Sequence, residues 1–169
     1  LHALARNFTE TDAAGAERGG LVIGMFDTHS QGRVEVTSAD PRADPAVDVG
    51  MLSDRRDLVR LREGVKHAVE LLETEPMQSI RAGPPVLETH DGGTEPIAVS
   101  VDATLEAQIK RHVAQYYHPV GTCRMGAVDD PAAVVTPQCQ VVGVEDLFVV
   151  DASIMPTTVR AHTNLTTVA

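Results

Sequence analysis

The chain has 169 residues, 43% of them hydrophobic, 3% aromatic and none of them Trp. That is enough for one ordinary domain with an aliphatic core of Val, Leu, Ile, Ala and Met, and too apolar for global disorder. A formal net charge of -10 and a pI near 5.0 exclude the basic stripe that nucleic acid or anionic lipid requires. The two cysteines, Cys123 and Cys139, make no disulfide framework. Neither Cys-x-x-Cys nor His-Glu-x-x-His occurs, so no metal is expected. No run approaches the roughly 20 apolar residues of a membrane span. The first residues lack the basic and apolar regions of a signal peptide, which decides little for a fragment; the compartment stays unknown, with a cytoplasmic setting favoured.

Residues 1–20 are polar and rich in Gly and Ala, and read as irregular or as the tail of an earlier element. Leu21 to Phe26 is a short apolar run that suits a buried strand. After a turn at THSQG, Gly32 to Thr37 alternates, with Val34 and Val36 on one face, as in a half-buried strand. Asp40-Pro41 and Asp44-Pro45 punctuate a loop. Ala46 to Val49 makes one more short strand, and the meander predicts an antiparallel sheet. Ser53 or Asp54 caps the clearest helix, along which Leu58, Leu61, Val65, Ala68, Val69 and Leu72 recur at helical spacing. Glu75-Pro76 stops it. Residues 76–101 hold four of the ten prolines and read as a long loop bordering a pocket. Asp102 opens a second helix with Leu105, Ile109, Val113 and Tyr117 on one stripe. Beyond a polar loop at 127–138, Cys139 to Val142 and Leu147 to Val150 read as strands, and LFVV suits a parallel strand buried on both faces.

Two segments carry chemistry. In His118-Pro119-Val120-Gly121-Thr122-Cys123-Arg124-Met125-Gly126 a histidine stands between a helix end and a turn, and Gly121 and Gly126 let backbone pass close to a flat ligand. Alone, His118 equally suits a cation at a helix C-terminus. In the second segment Asp151 ends the apolar run and Ala152-Ser153-Ile154-Met155-Pro156 follows, with His162, Thr163 and Asn164 beyond. An Asp at the carboxyl end of a parallel strand sits where open α/β sheets bind ligands, although an ordinary cap is also served by it. Arg124 fits either a carboxylate pair or a pocket lining. Cys123 fits a small buried hydrophobe. The histidines at 2, 29, 67, 90 and 112 read as solvated or helix-surface residues.

Together, HPVGTCRMG, the Asp130-Pro131 step, the stretch 141–156 and His162-x-Asn164-x-Thr166 resemble the C-terminal signature of the glucose–methanol–choline (GMC) flavoproteins. GRVEVTSADPRADPAVDVGMLSDRRDLVRLREGVKHA resembles the family's substrate domain as well. The resemblance runs from about residue 21 to the end, leaving 76–101 without a specific match. It implies an enzyme that oxidises an alcohol carbon by passing its hydride to flavin N5, with FAD as cofactor. His118 matches the histidine that takes the hydroxyl proton, and His162 the second catalytic position. Asp151 and Ala152 match backbone along the FAD chain, and Thr163 and Asn164 match backbone near the pyrimidine edge. Imidazole is suitably poised for such proton transfer near neutral pH. A helix beginning around Asn164 would turn its positive end toward charge on the reduced flavin.

The implied fold class is α+β: an antiparallel sheet backed by helices, plus the C-terminal strand segment of a Rossmann-like FAD domain. Residues 1–117 would belong to the substrate-binding domain. Residues 118–169 would hold the active-site loop and the C-terminal part of the FAD-binding domain. The family's Gly-x-Gly-x-x-Gly fingerprint does not occur, and Ala169 falls where the family's last helix begins. The expected partners are therefore a small alcohol and an N-terminal FAD-binding portion, without which the chain should neither hold FAD tightly nor turn over. Two alternatives stay open. One is a lyase on the same scaffold, of the hydroxynitrile-cleaving kind, and the other is a binding module without catalysis.

Overall fold

A computed structural model describes residues 2–6 and 19–169. Two compact units divide the chain: Leu1–Met25 with Met51–Ala114, and Phe26–Gly50 with Gln115–Ala169. The architecture is α+β, with helices and small antiparallel sheets.

The first unit is built on its helices. Strand β1 (His2–Arg6) pairs antiparallel with β2 (Gly20–Gly24), placing Ala3 opposite Ile23 and Leu4 opposite Val22. So the part of 1–20 expected to be irregular contains a strand at its start, and residues 7–18 lie outside the described residues. A second pair of strands lies in the other unit, β3 (Arg33–Glu35) and β4 (Ala46–Asp48). Helix α1 (Arg55–Leu72) starts where the sequence places it. Asp54 is its cap, with Oδ1 accepting from Arg56 N at 2.8 Å, which satisfies a first-turn N–H that the helix itself leaves open. Leu58 and Leu61 are buried on its inner face, as their spacing demands.

The chain between the long helices is more structured than its prolines suggest. Helix α2 (Glu75–Gln78) accepts Pro76 in its first turn, where no N–H is needed. Strands β5 (Val86–Glu88) and β6 (Thr94–Pro96) then form a hairpin. Helix α3 (Asp102–His112) begins as expected. Leu105 and Ile109 complete a core with Leu58 and Leu61, and Ile23, Met25, Val65, Ile97 and Val113 pack against it. Gln108, buried on the same helix, donates to Pro96 O at 2.8 Å and accepts from Ala98 N at 2.9 Å, which ties the end of the hairpin to α3.

The stripe Leu105–Tyr117 does not continue as helix. Val113 is already extended, and Tyr117 is 79% exposed with φ +59. Its N–H is taken by Gln115 Oε1 at 2.7 Å. Beyond the helix a side chain, not a helical carbonyl, satisfies this backbone donor.

In the second unit, β3 and β4 are antiparallel, with Val34 opposite Val47. The alternation read from GRVEVT is present, but Val34 is 51% and Val36 88% exposed, so the face is not buried in this chain. The remaining order in this unit comes from turns and isolated bridges. Met125 bridges Val135 in parallel, Val135 bridges Val141, and Gln140 bridges Phe148. A single 3-10 turn (Ala152–Ile154) and helix α4 (Asn164–Val168) close the unit. Leu147–Val150 takes part only through such bridges, with Phe148 55% and Val150 73% exposed. Among the described residues every sheet has two strands and is antiparallel.

Candidate active site

The segment 118–126 is laced onto the segment 151–155. Cys123 N donates to Ser153 O at 3.0 Å and Met125 N to Ile154 O at 2.8 Å. Val135, fully buried, anchors the next layer, with Gly126 N donating to its carbonyl at 3.0 Å. Arg124 resolves its two sequence readings in favour of structure. It pairs with Asp130, and its Nε donates to Ala132 O at 2.9 Å, folding the 127–134 loop back on itself. Gly121 has φ +90, a backbone state that side chains avoid, and a Cβ there would stand 3.5 Å from Met155 O. Gly126 is required by its own loop, since a Cβ would meet Ala133 Cβ at 2.9 Å and Asp130 Oδ2 at 3.0 Å.

This lacing brings His118 and His162 together. His118 Nε2 lies 2.8 Å from His162 Nδ1, with the rings 4.9 Å apart at 74°. His118 Nδ1 lies 2.9 Å from Thr163 Oγ1. His118 is half-buried, His162 is exposed and Thr163 is 7% exposed. An N···N contact of this length needs one donor and one acceptor, so the facing nitrogens share a single proton. A hydroxyl brought between the rings would find one nitrogen free to accept and another placed to donate.

Two aromatic rings frame the pair. Phe26, 8% exposed, has its centroid 5.7 Å from that of His118 and 5.6 Å from that of His162. Tyr116 stands 5.8 Å from His118 and 5.9 Å from His162. Sequence reasoning placed Phe26 only as the end of a strand. The available signal was rarity: the chain has three Phe and two Tyr, and two of these five surround the imidazoles.

Asp151 is extended at the start of the 3-10 turn, and its carboxylate accepts from Ser153 N at 2.8 Å. Hydrogen bonds from the Ser153 hydroxyl and then its backbone N–H hold the Asp151 carboxyl below the ordinary carboxylate range. One oxygen of this carboxylate, Oδ1, is thus held by its own turn, while Asp151 is exposed and Ala152 half-buried. Thr163 precedes α4, and Asn164 is the exposed first residue of that helix, so a helix does begin where the sequence suggested.

Two histidines of the first unit have partners of their own. His67 is exposed, with Nδ1 2.8 Å from Glu63 O. His112 departs from the solvated reading: its side chain is 15% exposed, with Nε2 3.3 Å from Glu95 Oε1. It lines a shallow cavity of about 480 Å³ with His90, Asp91, Glu95 and Arg111. Among the described residues no cluster of His, Cys, Asp and Glu is arranged to hold a metal ion, and no helix is long and apolar enough to cross a membrane.

Comparison with known proteins gives this geometry a context. The family described as GMC oxidoreductase matches residues 28–169. An oxygen-dependent choline dehydrogenase of Rhizobium johnstonii is 37% identical over 134 residues, which is 79% of this chain and 23% of that protein. The solved pyridoxine 4-oxidase from Mesorbium loti superposes with a TM-score of 0.74 at 25% identity, covering 97% of this chain and 30% of that one. A formate oxidase of Aspergillus oryzae RIB40, from a study of its FAD modification, has a TM-score of 0.66 at 21% identity over 81% of this chain and 22% of that one. The chain spans about a quarter of the length of the curated relatives it matches.

Proposed function

The chain belongs to the GMC oxidoreductase family, and from that premise we propose that it is the C-terminal part of an FAD-dependent enzyme that oxidises a CH–OH group. The observation that supports this reading best is the convergence of His118 Nε2 and His162 Nδ1 on one point. An alcohol becomes a hydride donor only as its hydroxyl proton leaves. His118 Nε2 takes that proton, and His162 hydrogen-bonds the same oxygen, the hydroxyl replacing the contact between the two rings. Phe26 and Tyr116 flank both imidazoles, Phe26 meeting His162 and Tyr116 meeting His118 edge-on, and limit their rotation. General-base help of this kind contributes roughly 10²–10⁴-fold.

The residues present fit FAD. The imidazole of His162 is exposed, so a flat ring can stand against it. Asp151 and Ala152 would offer backbone for the cofactor chain, with Asp151 Oδ1 turned to Ser153. Thr163 and Asn164 lie where α4 begins, and the first-turn N–H groups have no partner within the helix, so they can serve the polar pyrimidine edge. When bound, FAD supplies the hydride acceptor at its N5.

In the assignment we favour, residues 1–117 contribute to the substrate-binding domain and residues 118–169 form the active-site loop and the end of the FAD-binding domain. The exposed Phe148 and Val150 are then the part of Leu147–Val150 that joins a parallel Rossmann-like sheet in the whole protein. The partner in that arrangement is the N-terminal FAD-binding portion, and the substrate is a small alcohol.

The test is anaerobic mixing of the full-length flavoprotein with choline and with pyridoxine, the alcohols in the names of its relatives, and with benzyl alcohol. Loss of oxidised-flavin absorbance is the expected result. A flavin left oxidised by all three, with aldehyde released from a hydroxynitrile, would replace oxidation with lyase chemistry. A flavin inert to both classes of compound would leave a binding module.

A further inference from the structure

We infer that Thr163 is a positioning residue whose hydroxyl oxygen accepts the Nδ1–H of His118, fixing the tautomer that leaves Nε2 free to take a proton. The inference rests on the oxidative reading above and deepens it, because it assigns the Thr163 side chain to the base rather than to the cofactor.

Three observations carry it. First, Thr163 Oγ1 lies 2.9 Å from Nδ1, the nitrogen facing away from His162. Second, Thr163 is buried to 7% exposure beside a half-buried ring, so bulk water is poorly placed to substitute for its hydroxyl. Third, the residue is held in place by its own backbone. Thr163 O accepts from Thr167 N at 2.9 Å and from Thr167 Oγ1 at 2.8 Å, which pins Thr163 at the start of α4.

The chemistry makes this contact decisive. Neutral imidazole carries one N–H. With that proton on Nε2, the ring presents a donor to the reacting oxygen and cannot act as a base there. With it on Nδ1, Nε2 presents a lone pair. A hydrogen-bond acceptor at Nδ1 selects the second form, the role such partners play for ligating and catalytic histidines generally. The same bond survives proton transfer, since the imidazolium also carries Nδ1–H. His118 therefore changes charge without turning its ring. In this arrangement His162 Nδ1 is the donor to His118 Nε2 before substrate enters.

The experiment compares the full-length holoenzyme with Thr163→Val and Thr163→Ser. Thr163→Val keeps the shape and removes the hydroxyl. The flavin spectrum confirms bound FAD in each protein. With choline or pyridoxine in anaerobic stopped flow, Thr163→Val should reduce its flavin roughly tenfold more slowly at saturating alcohol, the scale of one hydrogen bond. The dissociation constant of the alcohol should stay nearly unchanged. Thr163→Ser should recover to within roughly twofold of the parent. In histidine-selective ¹⁵N spectra, parent His118 should be the Nδ1–H tautomer, and Thr163→Val should shift it toward Nε2–H. Equal reduction rates in parent and Thr163→Val would overturn the inference, as would Thr163→Ser as slow as Thr163→Val, or Nε2–H in the parent. If Thr163→Val loses its flavin, the Thr163→Ser rate and the parent tautomer decide alone. A parent flavin that no alcohol reduces would sink the oxidative reading instead, and the tautomer comparison would still decide the role of Thr163.

Discussion

The two units of this chain are ordered by different means. The first is a helix pair whose inner faces bury Leu58, Leu61, Leu105 and Ile109 in one cluster. Its outer edge is tied by ions: Arg62 reaches Glu106 at 2.8 Å and Asp102 at 3.1 Å, and Lys66 reaches Asp102 at 2.6 Å. The second unit buries Phe26, Val135, Met155 and Thr163, residues drawn from four separate stretches of sequence. It is held mainly by backbone hydrogen bonds between loops. Periodic burial stabilises the first, and converging turns aim side chains in the second. Binding and catalytic groups belong on such loops because turn geometry can point a side chain where a helical stripe cannot.

If that contrast is right, changes in the second unit should damage chemistry, and changes in the first should damage stability. The largest effect expected is on flavin reduction. His118→Ala in the full-length enzyme should slow reduction by alcohol by roughly 10²–10⁴-fold while FAD stays bound, read by stopped-flow absorbance. Equal rates in the two proteins would take the base role away from His118. The converse is Leu105→Ala. Leu105 is fully buried at the centre of the first unit, and its truncation should destabilise by about 2–5 kcal/mol. Denaturant unfolding should show this loss, while the reduction rate of protein that retains flavin should change little. A Leu105→Ala variant of normal stability but slow chemistry would erase the distinction between the units.

The same contrast explains what the sequence made legible. Helix α1 was readable because its burial repeats locally, from Leu58 through Leu72, and because Asp54 is a capping residue directly before it. The end of α3 was not, because the apolar stripe runs past the true terminus at His112. Strand β1 was missed because its reason lies in its pairing with β2, not in its own composition. The β5–β6 hairpin hid among prolines, although Asp91-Gly92-Gly93 is an ordinary turn signal. At the site, His118 and His162 could be singled out from motif spacing, but their contact is a long-range event. Phe26 had no motif at all, and the Thr163 hydroxyl was hidden behind an expected backbone role. Local rules find elements, and only the folded chain shows which side chains meet.

A smaller effect sharpens the first half of the comparison. Asp54 Oδ1 accepts from Arg56 N, and the carboxylate also holds the Arg56 guanidinium at 2.7 Å. Asp54→Ala should remove the cap and cost about 1 kcal/mol, seen as a lower denaturant midpoint with unchanged slope. Asp54→Asn should recover most of it, since Asn caps nearly as well. An alanine variant as stable as the parent would mean that packing alone places the start of α1.

The smallest effect is one of pH. The Asp102 carboxyl is held below its ordinary value, first by the hydrogen bond from Lys66 and then by the nearby charges of Arg62 and Lys66. A carboxylate depressed in the folded state contributes stability that is fully present above its unfolded pKa, which is about 3.9. That contribution fades as pH falls through the lower folded value. Asp102→Asn removes the charge but keeps a polar residue in the first turn of α3. Its melting temperature should therefore fall slightly below that of the parent at neutral pH, and the gap should close below about pH 4. The Asp102 side chain is 52% exposed, so the gap should also narrow in high salt. A gap that ignores both acid and salt would mean that Asp102 acts through its shape at the start of α3, not through the ion pairs that join the two helices.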